Sequence, residues 1–123
     1  MVDSSKITSF EQLEVWQVSR DWAVRIYELT KLFPREEAFG VTSQVRRLVA
    51  SISANIAEGF GRQTKKNKLH FYVIAYGSAL ETKNFLYLAR KLSYINQDDL
   101  DELLELGTSA QKLLNAFMRP LKL

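Results

Sequence analysis

The segment Ser51–Gly59 constrains the fold of this chain more than any other part of the sequence. It reads Ser-Ile-Ser-Ala-Asn-Ile-Ala-Glu-Gly, and its two bulky apolar residues, Ile52 and Ile56, are four positions apart, as on one face of a helix. The other residues are small or polar. Small residues let a second helix approach closely, and Asn55 and Glu58 would place polar atoms at that crossing. The segment therefore predicts tightly packed helices and has the features of architecture, not of a reaction centre.

The rest of the sequence extends this helical pattern. No alternating strand pattern competes with it, and the chain has only two prolines, Pro34 and Pro120. We expect a single all-α domain over residues 1–123, built as an antiparallel helical bundle. The four predicted helices cover about residues 9–32, 42–60, 64–94 and 97–118.

Each predicted helix begins near a residue that can cap its free N–H groups. Ser9 with Gln12 forms a capping-box pattern at the start of helix 1. The caps of the later helices are expected at Thr42 or Ser43, at Thr64 and at Asn96.

Helix 1 has more apolar surface than one bundle needs. One stripe at helical spacing contains Val15, Val18, Trp22, Ile26, Leu29 and Phe33. A second stripe, roughly 140° away on the helical wheel, contains Leu13, Trp16, Ala23, Val24 and Tyr27. One stripe would face the core, so the other requires a partner, most simply a second copy of the chain.

Helix 3 has the same excess. One predicted core face contains Phe71, Ile74, Ala75, Ser78, Thr82, Phe85, Ala89 and Leu92. Further apolar bulk lies elsewhere on the helix, at Tyr72, Tyr76, Leu80, Leu86 and Tyr87. Gly77 is in the middle of this helix, where glycine costs roughly 0.5–1 kcal/mol relative to alanine. Close approach of another backbone at Gly77 would explain it. The sequence thus predicts a homo-oligomer.

Composition excludes several function classes. The chain has no cysteine, which rules out disulfides and thiolate chemistry, and no apolar run near the roughly 20 residues that span a bilayer. The N-terminus lacks the apolar segment of a signal peptide, so a cytoplasmic location is expected. His70 is the only histidine, and there is no glycine-rich phosphate loop. We expect no enzyme activity, no cofactor and no metal.

Several polar residues are expected to pair between helices. If helices 2 and 3 are antiparallel about residue 62 or 63, facing positions sum to about 125. That register places Arg47 level with Ser78, Asn55 with His70, and Gln44 with Glu81. Structural roles are therefore predicted for Gln44, Asn55, Glu58, Ser78 and Glu81.

Specific partners follow for the two glutamates. Glu81 is expected to pair with Arg46 or Arg47, or to accept a hydrogen bond from Gln44, and Glu58 is expected to reach Arg20 or Gln17. A buried pair of this kind fixes register more than it adds stability. The alternative role for both glutamates is an acid/base or metal site, as in a metal-dependent nuclease.

The charge is unevenly distributed. The net charge is +3, but five acids cluster within residues 98–105 and leave 17 basic against 9 acidic residues elsewhere. No acid interrupts the stretch from Gly59 to Leu80. The basic residues expected to contact nucleic-acid phosphates are Arg46, Arg47, Arg62, Lys65, Lys66 and Lys68. The alternative is an ordinary solvated helix start.

Five motifs in order resemble a known family. They are Phe10-x-x-Leu13-x-x-Trp16, Phe33-Pro34-x-Glu36-Glu37-x-Phe39-Gly40, Thr42-Ser43-Gln44-x-Arg46-Arg47, Ser51-Ile52-x-Ala54-Asn55-Ile56-Ala57-Glu58-Gly59 and Gly77-Ser78-x-x-Glu81. Over about residues 10–95 the chain resembles the four-helix-bundle proteins encoded in intervening sequences of bacterial 23S ribosomal RNA genes. A related branch comprises the accessory protein of diversity-generating retroelements.

The resemblance implies an up-down-up-down antiparallel four-helix bundle that forms a cyclic homopentamer. It supplies no catalytic residues, and the biochemical role of the family is poorly defined. The related branch works with a reverse transcriptase and nucleic acid. The expected function is a non-enzymatic accessory or adaptor protein that binds RNA or a nucleic-acid-processing protein. The alternative is a structural scaffold for a protein partner without nucleic-acid binding.

Overall fold

Four α-helices account for most of the structure, a computed structural model that describes residues 6–122. The helices are α1 (Glu14–Thr30), α2 (Val41–Phe60), α3 (Lys65–Lys91) and α4 (Gln97–Met118). Short 3-10 turns lie at Phe10–Gln12, Arg35–Glu37 and Arg119–Lys122. Residues 6–122 contain no strand, so the predicted all-α class is confirmed.

Each helix packs against two others. α1 and α3 both contact α2 and α4, which places α1 and α3 on a diagonal. Contacts between neighbours run in opposite order along the two helices. Along α2 and α3, for example, Ser51 meets Ser78 while the later residue Gly59 meets the earlier residue Tyr72. Residues of α2 and α3 that face each other therefore sum to about 129–131, one helical turn from the predicted 125.

The register differs from the prediction because the connection between α2 and α3 does not fold back tightly. Residues 61–64 separate the two helices, and Thr64 has an extended backbone with φ −95° and ψ 150°. The first turn of α3 consequently extends past the end of α2. Ser78 is level with Ser51 instead of Arg47.

The core is filled by bulky residues from all four helices. Its largest fully buried side chains include Trp22 on α1, Ile52 and Ile56 on α2, Tyr72 on α3 and Leu114 on α4. The isoleucines of the Ser51–Gly59 segment thus face inward, as their spacing predicts. The first predicted stripe of α1 is also buried, apart from Val18, which is only half-buried.

The prediction for α3 was partly wrong. The residues that α3 buries are Tyr72, Ala75, Ser78, Ala79, Thr82, Leu86 and Ala89. Ile74 and Leu92, which were expected to face the core, are exposed, whereas Tyr72 and Leu86 are buried. The core face of α3 is rotated about the helix axis relative to the predicted face, because small residues, and not the bulkier ones, let α3 approach α2 closely.

The helix caps were predicted with mixed success. Thr64 accepts a hydrogen bond from the N–H of Asn67, and Asn96 accepts one from the N–H of Asp99, so both caps are confirmed. The Ser9–Gln12 capping box is present but opens the 3-10 turn before α1, which itself begins only at Glu14. Helix α2 begins after Gly40 and not after Thr42 or Ser43.

Two connections are joined by one carboxylate. Glu37 accepts a hydrogen bond from the Tyr94 hydroxyl at 2.7 Å and another from the N–H of Val41 at 3.3 Å. It thereby ties the α1–α2 connection to the α3–α4 connection. The pKa of Tyr94 is raised, first because this hydrogen bond to a carboxylate favours the protonated phenol. Helix α3 ends earlier than predicted because Ser93 adopts a left-handed φ of 64°.

The side of α3 that points away from the core is strongly apolar. This outer face of α3 comprises Val73, Ile74, Gly77, Leu80, Glu81, Tyr87 and Leu88. Its five large apolar residues are all exposed. A Cβ added to Gly77 would have no atom within 4 Å, so the close approach predicted at Gly77 does not occur within residues 6–122.

Candidate nucleic-acid interface

The basic residues gather where two acid-free stretches of the sequence meet. Neither residues 59–80 nor residues 106–123 contain an aspartate or glutamate. The first stretch includes the start of α3, and the second includes the second half of α4 and the C-terminal 3-10 turn. In the described part of the chain these elements pack together: the rings of Tyr72 and Phe117 are 5.2 Å apart, and α3 contacts the C-terminal turn.

We call this region the basic end of the bundle. Its basic residues are Arg62, Lys65, Lys66, Lys68, Arg119 and Lys122. Acids border it only from neighbouring elements, with Glu58 near the end of α2 and Glu11 and Glu14 at the start of α1. The acidic cluster of residues 98–105 lies at the opposite end, in the first half of α4. The molecule therefore has a strong charge asymmetry along its length.

Lys65 and Lys66 are cations of the basic end that are available to a ligand. Both are exposed, and neither has a hydrogen bond or an ion pair within residues 6–122. They occupy the first turn of α3, where free N–H groups also carry partial positive charge. Cations are electrostatically disfavoured there, so an anion bound at this position would relieve repulsion.

Arg62 and Lys68 are partly committed to the protein itself. The Arg62 guanidinium binds the Glu58 carboxylate and lies over the Phe71 ring, 4.7 Å from its centroid. The Lys68 Nζ donates to the carbonyl oxygen of Phe60 at 2.7 Å. Lys68 therefore satisfies the end of α2 while keeping its charge at the surface.

Arg46 and Arg47 do not belong to this surface. They lie near the start of α2, 15 residues before Arg62, which corresponds to about 22 Å along a helix. Arg46 donates to the Thr30 hydroxyl at 2.8 Å and to the Tyr27 carbonyl at 3.2 Å, so it fastens α2 to α1. The six predicted phosphate-contacting residues thus divide into two separate groups.

Sequence reasoning missed two members of the basic end. Arg119 and Lys122 lie far from the α2–α3 connection in sequence and reach it only because α4 returns alongside α3. The signal that could have revealed them is the absence of any acid after Glu105, in a stretch that has no motif of its own.

The small polar residues between α2 and α3 form a local network. The hydroxyl groups of Ser51 and Ser78 are hydrogen-bonded at 2.8 Å, and the Asn55 amide donates to the Ser51 carbonyl at 2.8 Å. Gln44 accepts from Arg47 at 2.7 Å, on the surface of α2. Asn55 is therefore not level with His70. Of the residues predicted to pair between α2 and α3, Ser78 is the one that forms a hydrogen bond across the two helices, to Ser51.

The partners predicted for both glutamates were wrong. Glu58 binds Arg62 on its own side of the bundle, since Arg20 pairs with Asp21 and Gln17 donates to the Glu11 carbonyl. Glu81 is exposed and makes no hydrogen bond or ion pair within residues 6–122, because it lies on the outer face of α3, which points away from α2.

Few groups in the structure are arranged for bond-making chemistry. His70 is exposed, and its ring stacks edge-on against Phe71 at 5.1 Å. Within residues 6–122 there is no cluster of three histidine, cysteine, aspartate or glutamate side chains that could hold a metal ion. Lys83 donates to the Thr108 hydroxyl at 2.9 Å between α3 and α4, and desolvation lowers its pKa.

Membrane insertion has no helical candidate in the same residues. None of the helices within residues 6–122 is both long and apolar enough to cross a bilayer.

Comparisons with known proteins agree with the motifs. Residues 11–116 match the family described as 23S rRNA-intervening sequence protein. A similar solved structure is the 1.70 Å crystal structure of a protein of unknown function from the S23 ribosomal protein family of Bacteroides thetaiotaomicron VPI-5482. The two are 28% identical with a TM-score of 0.77, over 85% of this chain and 98% of the other. No curated protein matches the sequence.

Proposed function

Since the chain belongs to the 23S rRNA-intervening sequence protein family, we propose that it is a non-enzymatic, homo-oligomeric accessory or adaptor protein that binds RNA through its basic end. The observation that carries this proposal is the packing of two acid-free segments against each other. Six basic residues are brought into one region by this packing, although they come from distant parts of the sequence.

Electrostatics favours phosphate as the ligand of the basic end. Cations that neutralise phosphates release condensed counterions, which gives affinity without base recognition. Lys65 and Lys66 are exposed and unpaired among the described residues, so they lose no internal partner on binding. Base-stacking aromatics are not prominent there, since Phe71 lies under Arg62 and Tyr72 is buried. We therefore expect recognition of RNA shape and backbone, with little sequence preference.

Oligomerisation would multiply this surface. The exposed apolar residues of α3 and the second stripe of α1 favour association of several copies, and we propose a ring of five as the family resemblance implies. Each copy would contribute one basic end to the same assembly. Weak phosphate contacts then act together with a raised effective concentration.

The test is RNA binding measured by fluorescence anisotropy with a structured RNA over a series of salt concentrations. We expect binding at low salt, with log affinity falling linearly with log salt. Lys65→Gln with Lys66→Gln should weaken binding and reduce the salt slope by roughly 1–2. Arg35→Gln with Lys91→Gln is the matched control, because it removes the same charge from exposed residues outside the basic end.

Three results would contradict the proposal. No binding at low salt would favour the alternative, a scaffold for a protein partner. Equal losses in the two double variants would show that net charge, not the basic end, determines affinity. Magnesium-dependent RNA cleavage that disappears in Glu58→Gln or Glu81→Gln would instead indicate a nuclease.

A further inference from the structure

The outer face of α3 has the pattern of a helix that packs along another surface. Val73, Leu80 and Tyr87 recur every seven residues, as do Ile74, Glu81 and Leu88 in the adjacent row. A seven-residue repeat keeps apolar side chains on one seam over several turns. Gly77 leaves an open hollow between these rows, with no atom within 4 Å of an added Cβ.

A second apolar surface lies between α1 and α2. Here Ala23, Val24 and Tyr27 of α1 and Ala50 and Ser53 of α2 line a groove of about 590 Å³. These α1 residues form the more exposed part of the second apolar stripe, since Val24 is 52% and Tyr27 41% exposed whereas Leu13 is buried. The small side chains of α2 let a bulky row of residues enter the groove.

The charged residues of the two surfaces indicate whether the outer face of α3 packs against a second outer face or against the α1–α2 groove. Glu81 is the acid within the apolar rows and has no ion pair in the described residues. Lys31 lines the end of the α1–α2 groove and also has no ion pair there. Two outer faces packed against each other about Leu80 would bring two Glu81 carboxylates together without a counter-charge. In the groove, Arg20 pairs with Asp21 and Glu28 pairs with Arg25, which leaves Lys31 as the charge available to Glu81.

We infer that the outer face of α3 in one copy packs into the α1–α2 groove of the next copy, with Glu81 beside Lys31. The inference rests on the proposed homo-oligomer and specifies its interface. The two surfaces belong to different parts of one chain, because α1 and α3 lie on a diagonal. Such a contact is heterologous: each copy both provides a helix and receives one, which is the kind of interface that a cyclic ring of identical subunits requires.

Cysteine cross-linking tests this geometry directly, since the chain contains no cysteine of its own. We expect a mixture of Leu80→Cys and Ala50→Cys chains to form disulfide-linked dimers under mild oxidation. Each single variant alone should remain uncross-linked. Dimers formed by Leu80→Cys alone would overturn the inference in favour of α3 against α3. An intact oligomer with no cross-link in the mixture would overturn it as well.

A charge exchange gives an independent measurement of the same contact. Glu81→Lys should dissociate the oligomer, as followed by light scattering, and adding Lys31→Glu to that chain should restore it. Failure of the restoration would contradict the Glu81–Lys31 pairing. If the unmodified chain itself is monomeric, the oligomeric part of the proposed function fails. If it is oligomeric and only the cross-link is missing, this interface alone fails.

Discussion

The inner and outer faces of α3 differ in side-chain size, and the larger apolar side chains are on the outer face, whereas a helix usually buries them. The inner face consists mostly of small residues, with Ala75, Ser78 and Ala79 packed against the rest of the bundle. The outer face has the larger aliphatic and aromatic side chains, and Tyr87 is 57% exposed. Bulk therefore does not mark the core of this helix. What marks it is the need of α2 and α3 to approach closely, as the 2.8 Å hydrogen bond between Ser51 and Ser78 shows.

The two faces should differ most in how much a leucine-to-alanine substitution lowers the free energy of unfolding. Leu86 on the inner face is 2% exposed, so Leu86→Ala should lower the free energy of unfolding by about 2–5 kcal/mol. Leu80→Ala on the outer face is the matched control and should change it by less than about 0.5 kcal/mol. Urea denaturation at concentrations below assembly measures both. Equal losses would mean that the outer face is covered within a single chain.

Alkaline pH should weaken the inner face of α3 through Tyr72. Tyr72 is buried and its hydroxyl has no hydrogen-bond partner in the described structure; burial raises its pKa from 10.0 to about 12. Between pH 10 and 12 the unfolded chain loses this proton while the folded chain keeps it. Stability should therefore fall by roughly 2–3 kcal/mol across that range and not below it.

Tyr72→Phe is the control for this pH dependence. Since phenylalanine does not titrate, the variant should lack that part of the alkaline decline, while the contribution of Tyr94 remains. Denaturation midpoints at pH 9 and pH 12 provide the comparison. An identical decline in both proteins would mean that Tyr72 ionises as readily in the folded chain as in the unfolded one.

A methyl group added where α2 packs against α3 should also destabilise the bundle. A Cβ at Gly59 would lie 2.6 Å from Cε1 of Tyr72 and 3.1 Å from Cβ of Phe71. Gly59→Ala should cost a net of about 1–2 kcal/mol, because overpacking exceeds the gain in helix propensity. Thermal unfolding followed by circular dichroism would detect it. An unchanged or higher melting temperature would show that Tyr72 moves aside freely.

The smallest effect is expected from the same substitution on the outer face. Gly77→Ala meets no atom within 4 Å, so only helix propensity changes. The variant should gain about 0.5–1 kcal/mol when measured on the dissociated chain. Together with Gly59→Ala it forms a matched pair of opposite sign. A loss at Gly77 would place a contact on the outer face within the single chain.

Local signals in the sequence determined much of the helical content. Thr64 and Asn96 cap α3 and α4 as predicted, because a cap depends on residues only three positions away. The inward orientation of Ile52 and Ile56 follows from helical spacing in the same way. The family motifs likewise depend on residue order alone, and they agree with the match over residues 11–116.

The tertiary structure alone decided which residues meet across the bundle. A difference of at least four residues in the α2–α3 register placed Ser51, and not Arg47, level with Ser78, and no local pattern specifies such a shift. The basic end likewise depends on the return of α4 beside α3, which brings Arg119 to the region of Lys65. Helix periodicity determines the face of each residue, whereas its partners depend on how the connections between helices set their relative heights.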